Sequence, residues 1–590
     1  MKLFLTQVFH LLGQDKKKLP PLIIIFLISS ILDLVGISLI GPYIALLTNV
    51  DIFTGVIGNV INFIGLPQEK ESLLMSLGYA LLAVFIVKAV FLIWINKVII
   101  RFSESQHVRL KSFLMLSYQS LPYLEYIRRN SAEYVYSIQI LTNQYANHVV
   151  MPLLRMASDG IVVFIIIIFL AWQSTFALIL LVSLLAIMMF VYDVLFRRKM
   201  SNYGEQLNRA SEATIQGVSE GIEGLKEIRI LGKEQYFYQN VVKEANKQAF
   251  FAEKALVVQM SLRYLLELTM IAFVVSMVLI TLLLARDISL LLPTLSVFGV
   301  ASLRLFPAAN IFMQSLMALR YGRNSVSRLF NDLKEMKQLV KTHADTGHPM
   351  QIHEEFRTLT LNNVCFSYPN SKCKALDGIS LEIHAGESIG FIGSSGSGKT
   401  TLLDTLLGLF KPQKGCIEYN GKNITNVLRQ WQSQVAYIPQ QVFLVDKTLR
   451  YNVALGVNDD EIDENKLYES LRQARLMDLV EELPQGVNTV LGERGVRFSG
   501  GQRQRVALAR AFYHGRNVLI MDEATSALDN ATEREIVREI ELLKGSKTMI
   551  VIAHRLTTLK HCDRIYELQD GKMINRGSYS EVIGAENGKM

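Results

Sequence analysis

Six long apolar runs, at about 20–48, 72–99, 148–171, 174–196, 257–285 and 288–316, leave the first half of this chain few ways to fold. Each can cross a hydrocarbon core of roughly 30 Å, which takes about 20 helical residues. In that medium every backbone N–H and C=O has to be satisfied inside its own helix. Half of the 590 residues are hydrophobic, which suits a membrane domain joined to a soluble one.

Charge orients the runs. Lys16–Lys18, the Arg101-to-Arg129 region, Arg197-Arg198-Lys199 and Arg320-to-Arg328 fall on one side, while the intervals near 49–71, 172–173 and 286–287 are short or poor in positive charge. Cytoplasmic loops carry the excess of Lys and Arg, so six spans with both termini cytoplasmic are expected. The net charge of +8 then needs no nucleic acid to explain it. Residues 1–12 read as an amphipathic elbow helix on the membrane surface. A signal peptide fits less well, because the following apolar run is too long and no small-residue cleavage site closes it. The polar intervals 100–147 and 197–256 lack strong breakers and read as helices that continue past the membrane. They reverse at Leu121-Pro122-Tyr123 and at Glu220-to-Gly224.

The pattern then changes. After about residue 320 the sequence reads as helical and charged, then as linker at Thr342–Gly347 within a boundary segment set at 331–355, and from 356 short strands such as Leu359–Phe366 alternate with helices, the mark of an α/β domain. Within it Gly393, Ser394, Ser395, Gly396, Ser397, Gly398, Lys399, Thr400 and Thr401 follow the apolar run Ser388–Ile392 and precede a leucine-rich run. Strand, glycine turn, helix is the setting of a phosphate-binding loop, in which backbone N–H groups and a helix N-terminus face a polyphosphate. Lys399 can reach the β- and γ-phosphates and the Thr400 hydroxyl can ligate Mg²⁺. The four cysteines (Cys365, Cys373, Cys416, Cys562) show no zinc-like pairing and read as free thiols in a reducing compartment.

Five further motifs accompany the loop. Val518–Met521 is a buried strand leading to Asp522, placed to hold hydrated Mg²⁺, and Glu523, placed to polarise a water. Ser499, Gly500, Gly501 and Gln502 form a second glycine turn before a helix. Gln440 follows Ile438-Pro439, Asp529 closes Ser526-Ala-Leu-Asp529, and His554 ends a β-branched strand.

Together and in this order the motifs resemble the ATP-binding cassette family, and six spans followed by one cassette resemble its exporter half-transporters. The resemblance implies a membrane α-helical domain of six transmembrane helices over 1–330, the linker 331–355, and an α/β P-loop nucleotide-binding domain over 356–590. It implies ATP and Mg²⁺ as cofactors. Tyr368 would stack on adenine, and Gln440 would contact Mg²⁺ or water. Glu523, His554 and Gln440 would serve catalysis, and Ser499–Gln502 with Asp529 would complete an ATP site. Gly492–Gly495 resembles an exporter motif, and Phe498 stands where the family usually has leucine. Because the signature serine of one cassette serves the other's ATP, a homodimer is expected.

Ionisable residues within spans are functional candidates, here Asp33, Lys88, Arg155, Arg263, Glu267 and Arg304. Arg263 and Glu267, at i,i+4, can simply pair. Lys88, Arg263 and Arg304 come from three spans with too few acids to neutralise them, a lining suited to a phosphate or pyrophosphate head group. Ser302–Asn310, Tyr437–Gln440 and the apolar stretch Val56–Ile64 resemble the bacterial flippases of lipid-linked oligosaccharides, which also carry basic residues where Lys88 and Arg263 fall. That resemblance implies an undecaprenyl-pyrophosphate-linked glycan moved across a bacterial inner membrane. The alternative is export of lipid A-type lipids, hydrophobic drugs or peptides.

Overall fold

The computed structural model describes residues 2–47, 70–283, 291–342, 354–369, 371, 373–522, 534, 538, 541–552 and 559–584. They form two compact units, one of Met1–Leu121 and Glu125–Ala344, the other of Pro122–Leu124 and Asp345–Met590.

The first unit is helical: α1 (Lys2–Leu12), α2 (Leu19–Leu47), α3 (Lys70–Gln119), α4 (Ser131–Trp172), α5 (Thr175–Glu223), α6 (Glu234–Leu283), α7 (Leu291–Tyr321) and α8 (Arg323–Thr342). Local chemistry sets several ends. Pro20 and Pro21 occupy the first turn of α2, where a missing N–H leaves nothing unsatisfied. The Ser174 side chain caps α5 by accepting from the Ala177 N–H. The chain reverses after α3 at Pro122, which cannot extend a helix, and Asn130 caps the start of α4 by accepting from Ala132. Among the described residues α3, α4, α5 and α6 are long and apolar enough to cross a membrane. Ile93, Phe164, Phe190 and Ile271 stand exposed on them, and bilayer hydrocarbon would cover such side chains without cost. At 50, 49 and 50 residues, α3, α5 and α6 are each about 75 Å long, well over twice a hydrocarbon core. That is why polar sequence continues on the same helices.

Residues 331–342, the first part of the boundary segment, belong to α8. Val326, Leu329, Leu333 and Met336 repeat at three- and four-residue spacing and are all buried, so one face of α8 is core. It also makes polar contacts. Asn208 on α5 donates to Asn324 and Ser325, Arg328 pairs with Glu212 at 2.8 Å, and Arg129 pairs with Asp332 at 3.1 Å and Glu335 at 2.6 Å. Gly204 lets α5 touch the end of α7, because a Cβ there would lie 2.1 Å from the Tyr321 carbonyl oxygen.

The second unit holds two sheets. β1 (Thr358–Phe366), β2 (Leu376–His384), β4 (Lys414–Tyr419) and β5 (Lys422–Asn423) form an antiparallel sheet ordered β2-β1-β4-β5. β3 (Ser388–Ile392), β6 (Val435–Ile438), β7 (Val518–Asp522), β8 (Thr548–Ile552), β9 (Arg564–Gln569) and β10 (Lys572–Gly577) form the other, ordered β10-β9-β3-β8-β7-β6. All its neighbours are parallel except the β10 edge. Its central strands are continuous apolar runs, as burial on both faces requires; all five residues of β3 are buried. Its helices include α9 (Lys399–Leu406), α10 (Glu464–Gln473) and α11 (Gly500–Tyr513). The phosphate loop, Gln440 and Asp522 thus all lie at carboxyl ends of parallel strands, where open α/β sheets bind ligands.

Candidate functional site

The loop after β3 closes because two glycines go where no other residue fits. Gly393 has φ of +149°, and a Cβ would meet the Leu568 carbonyl oxygen at 2.2 Å. Gly398 has φ of +104°, with the Ala375 carbonyl oxygen 2.5 Å from the same point. Backbone N–H groups can therefore line a concavity that side chains would fill. Lys399 opens α9 and folds its ammonium over the loop, donating to the Gly393 and Ser394 carbonyls at 2.8 and 2.9 Å. Among the described residues Ser397 Oγ is buried without a partner, a donor held ready inside the cradle. The Trp431 indole N–H donates to the Leu406 carbonyl at 2.7 Å, satisfying one of the carbonyls a helix end leaves open. An orphan donor, a helix N-terminus and an ammonium in one glycine cradle fit a polyphosphate.

Thr400 and Gln440 are exposed, and Asp522 is half-buried at the end of β7. A hydroxyl, an amide carbonyl and a carboxylate are hard oxygen donors, the set that Mg²⁺ takes beside substrate phosphates. Two neighbours of Asp522 were not foreseen. Asp404 on α9 has its pKa pushed up to about 6 by burial and by the Asp522 charge. Tyr437 of β6 has its phenol pushed well up, by burial first and Asp522 next. The signal for Asp404 was in the sequence, since it follows Thr400 by four residues and so shares its helix face.

The sign of the Asp404 shift gives a test. A carboxyl whose folded pKa is raised above 3.8 favours the fold when protonated, so stability falls as pH rises from about 4 through 6 and stays lower above that. Asp404→Asn should therefore raise the metal-free, nucleotide-free melting temperature at pH 8 and lose that advantage near pH 4. An equal difference at both pH values would refute the assigned cause.

The second glycine turn caps α11. Ser499 Oγ accepts from the Gln502 N–H at 3.2 Å, and Gln502 Oε1 accepts from the Ser499 N–H at 2.8 Å, a reciprocal capping box. Gly500 and Gly501 follow in the first turn. Phe498 is 4 % exposed and belongs to the apolar core with Val506, Leu508 and Leu467, so its ring sits beneath the turn rather than in it. Tyr368, just after β1, places its hydroxyl 3.1 Å from that of Thr401. Glu523, Asp529 and His554 lie outside the described residues.

In the helical unit, Lys88 stands over the Phe85 ring at 4.8 Å. Arg263 Nε donates to Glu267 at 3.1 Å, both side chains exposed, so the i,i+4 pairing does form. Arg155 lies on α4 and Arg304 on α7.

Residues 376–526 match the ABC transporter family. An ATP-dependent lipid A-core flippase of Saccharophagus degradans is 30 % identical over 474 residues, 78 % of this chain and 77 % of its own length. Flippases of the same name from Cupriavidus pinatubonensis and Ralstonia nicotianae are 42 % identical over 229 and 227 residues, 38 % of this chain in each case. The chain spans only 39 % and 38 % of those two relatives. Among solved structures, one of a bacterial Atm1-family ABC exporter with ATP bound superposes with a TM-score of 0.72, covering 97 % of this chain and 96 % of that one at 22 % identity. The shared fold is that of an exporter.

Proposed function

The chain belongs to the ABC transporters and has their exporter fold, and from that premise we propose that it uses ATP to carry a lipid with a phosphorylated head group between the leaflets of a bacterial inner membrane. The observation that carries the energy half is the cradle at Gly393–Thr401, with Lys399 folded over it. Bound there, Mg²⁺ would be held by Thr400, Gln440 and Asp522 and would neutralise charge on the β- and γ-phosphates. Glu523 takes a proton from the attacking water, and His554 supports the γ-phosphate. Ser499–Gln502 and Asp529 of a second copy close the site, so the working form is a homodimer. Tyr368 stacks on the base.

The lipid half rests on charge and depth. Lys88 lies about 27 Å along α3 from its start at Lys70, and Arg263 about 30 Å along α6 from its end at Leu283. With those ends outward, both cations reach the cytoplasmic margin of the hydrocarbon, where head groups sit. Arg304 is about 20 Å along α7 from Leu291, deeper in the core, and precedes Pro307 within that helix. Guanidinium binds phosphate oxygens through two parallel bonds. Relatives named as lipid A-core flippases favour a lipid A-type substrate. The three basic positions keep undecaprenyl-pyrophosphate-linked oligosaccharide as a second reading, since a pyrophosphate offers them more charge.

Purified protein in liposomes decides between the two. Labelled lipid A-type and pyrophosphate-linked glycan substrates are supplied in the leaflet on the cassette side, and ATP-dependent loss from that leaflet is followed. Transport of one class and not of a neutral drug supports the reading. Arg263→Ala and Arg304→Ala should each lower transport per ATP hydrolysed by at least about tenfold, the worth of one charge-assisted hydrogen bond. Lys in either place should recover only part of it, since it cannot make the bidentate contact. Unchanged transport in both alanine variants would remove the phosphate-lipid reading and leave a general exporter.

A further inference from the structure

The end of β1 and the turn after α9 build one aromatic corner. Phe366 and Phe410 stack face to face, with centroids 4.8 Å apart and planes 4° from parallel. Tyr368 meets both edge-on, at 5.3 and 5.7 Å. Phe366 and Phe410 are buried, and Tyr368 is 36 % exposed. The backbone beside it is held twice by one side chain: Ser367 N–H donates to Gln413 Oε1, and Gln413 Nε2 donates to the Ser367 carbonyl, both at 2.7 Å. The Gln413 N–H itself donates to the Cys365 carbonyl at 2.9 Å. Gln413 thus continues the ladder past the end of β1, its amide standing in for a strand neighbour.

The remaining freedom of the tyrosine is the direction of its ring, and Thr401 takes that away. The two hydroxyl oxygens are 3.1 Å apart, and Thr401 is 7 % exposed, in the first turn of α9. A hydroxyl accepts and donates at once. Thr401 can therefore receive the phenol proton and still aim its own towards the phosphate cradle. The stacking ring and the cradle are set in register through one pair of oxygens.

We propose that Thr401 and Gln413 are positioning residues for the purine: they hold Tyr368 immobile, so that its free face lies at a fixed reach from the phosphate loop before nucleotide arrives. The proposal rests on the reading of this cradle as an ATP site. A ring already fixed loses little rotamer freedom on stacking, and such preorganisation appears as affinity. Stacking tolerates any purine, so the gain extends to GTP. It does not extend to a ligand without a base.

The experiment measures binding of ATP, GTP and inorganic tripolyphosphate to the full-length protein in nanodiscs by calorimetry, in EDTA so that nothing is hydrolysed. Tyr368→Phe keeps the ring and removes the tie. A hydrogen bond of this kind contributes about 0.5–1.5 kcal/mol, so ATP and GTP should bind about 2- to 13-fold more weakly, with tripolyphosphate unchanged. Thr401→Ser, which keeps the hydroxyl, should recover most of the ATP affinity that Thr401→Val loses. Tyr368→Phe combined with Thr401→Val should bind ATP no more weakly than Thr401→Val alone, since both act on one bond. Gln413→Leu should weaken ATP more than tripolyphosphate. Wild-type ATP affinity in Tyr368→Phe, equal loss of tripolyphosphate, or additive effects in the double variant would each overturn the proposal. Wild-type protein that binds neither ATP nor tripolyphosphate would overturn the ATP reading itself, a separate failure.

Discussion

Glu523→Gln should bind ATP with near wild-type affinity and hydrolyse it about 10²–10⁴ times more slowly, the usual worth of a positioned general base. The glutamine keeps the size of the side chain and can still orient a water. It cannot take a proton. Asp522, its neighbour at the end of β7, would on the proposed reading still hold the metal, so binding and chemistry should separate cleanly. Lys399→Ala should do the reverse in part. Its ammonium holds the Gly393 and Ser394 carbonyls in the loop, so removal loosens the cradle and takes away the cation proposed to meet the phosphates; ATP affinity itself should drop. Steady-state hydrolysis together with equilibrium nucleotide binding reads both variants. Hydrolysis at the wild-type rate in Glu523→Gln would mean that another group activates the water.

The division into a helical membrane unit and an α/β cassette of exporter fold was legible in the sequence because each rests on a strong periodic signal. Apolar runs of membrane length admit one backbone solution, and a glycine loop between a buried strand and a helix admits few. The charged helix after residue 320 was legible, but which face of it is core was not: its buried stripe Val326, Leu329, Leu333 and Met336 is interleaved with Lys334, Glu335 and Lys337. Asp404 was legible as a helix-face neighbour of Thr400, but its raised pKa arises from tertiary structure. Asp522 comes near only because β7 is two places from β3 in the sheet. The tie between Tyr368 and Thr401 spans 33 residues and joins two positions that each look like a direct nucleotide contact, so nothing in the sequence separates a ligand contact from a positioning one. The substrate is least legible. A guanidinium such as Arg263 that pairs with its own Glu267 reads the same in the sequence whether it serves a head group or only stabilises its helix.

Chains inactive as Lys399→Ala and chains inactive as Ser499→Arg should regain ATP hydrolysis when they are mixed and allowed to form heterodimers. Each substitution alone should remove nearly all turnover, because in a symmetric dimer it spoils both sites. The first damages the cradle. The second puts a long cation at the cap of α11, where Ser499 Oγ now accepts from Gln502 N–H, and so breaks the capping box and blocks the helix N-terminus that would face the partner's phosphates. In a heterodimer both lesions fall on the same composite site, and the other site receives an intact loop from one chain and an intact signature turn from its partner. Random mixing makes half of the dimers heterodimers, so about a quarter of the wild-type sites should be restored. Activity that tracks the heterodimer fraction as the mixing ratio is varied supports shared sites. Hydrolysis that stays at the level of the parents, with heterodimers isolated by two different affinity tags, would show either that each chain builds its ATP site alone or that one competent site cannot turn over. The two explanations separate on ATP binding. A site contained in one chain leaves Ser499→Arg homodimers binding ATP as the wild type does, and a shared site does not.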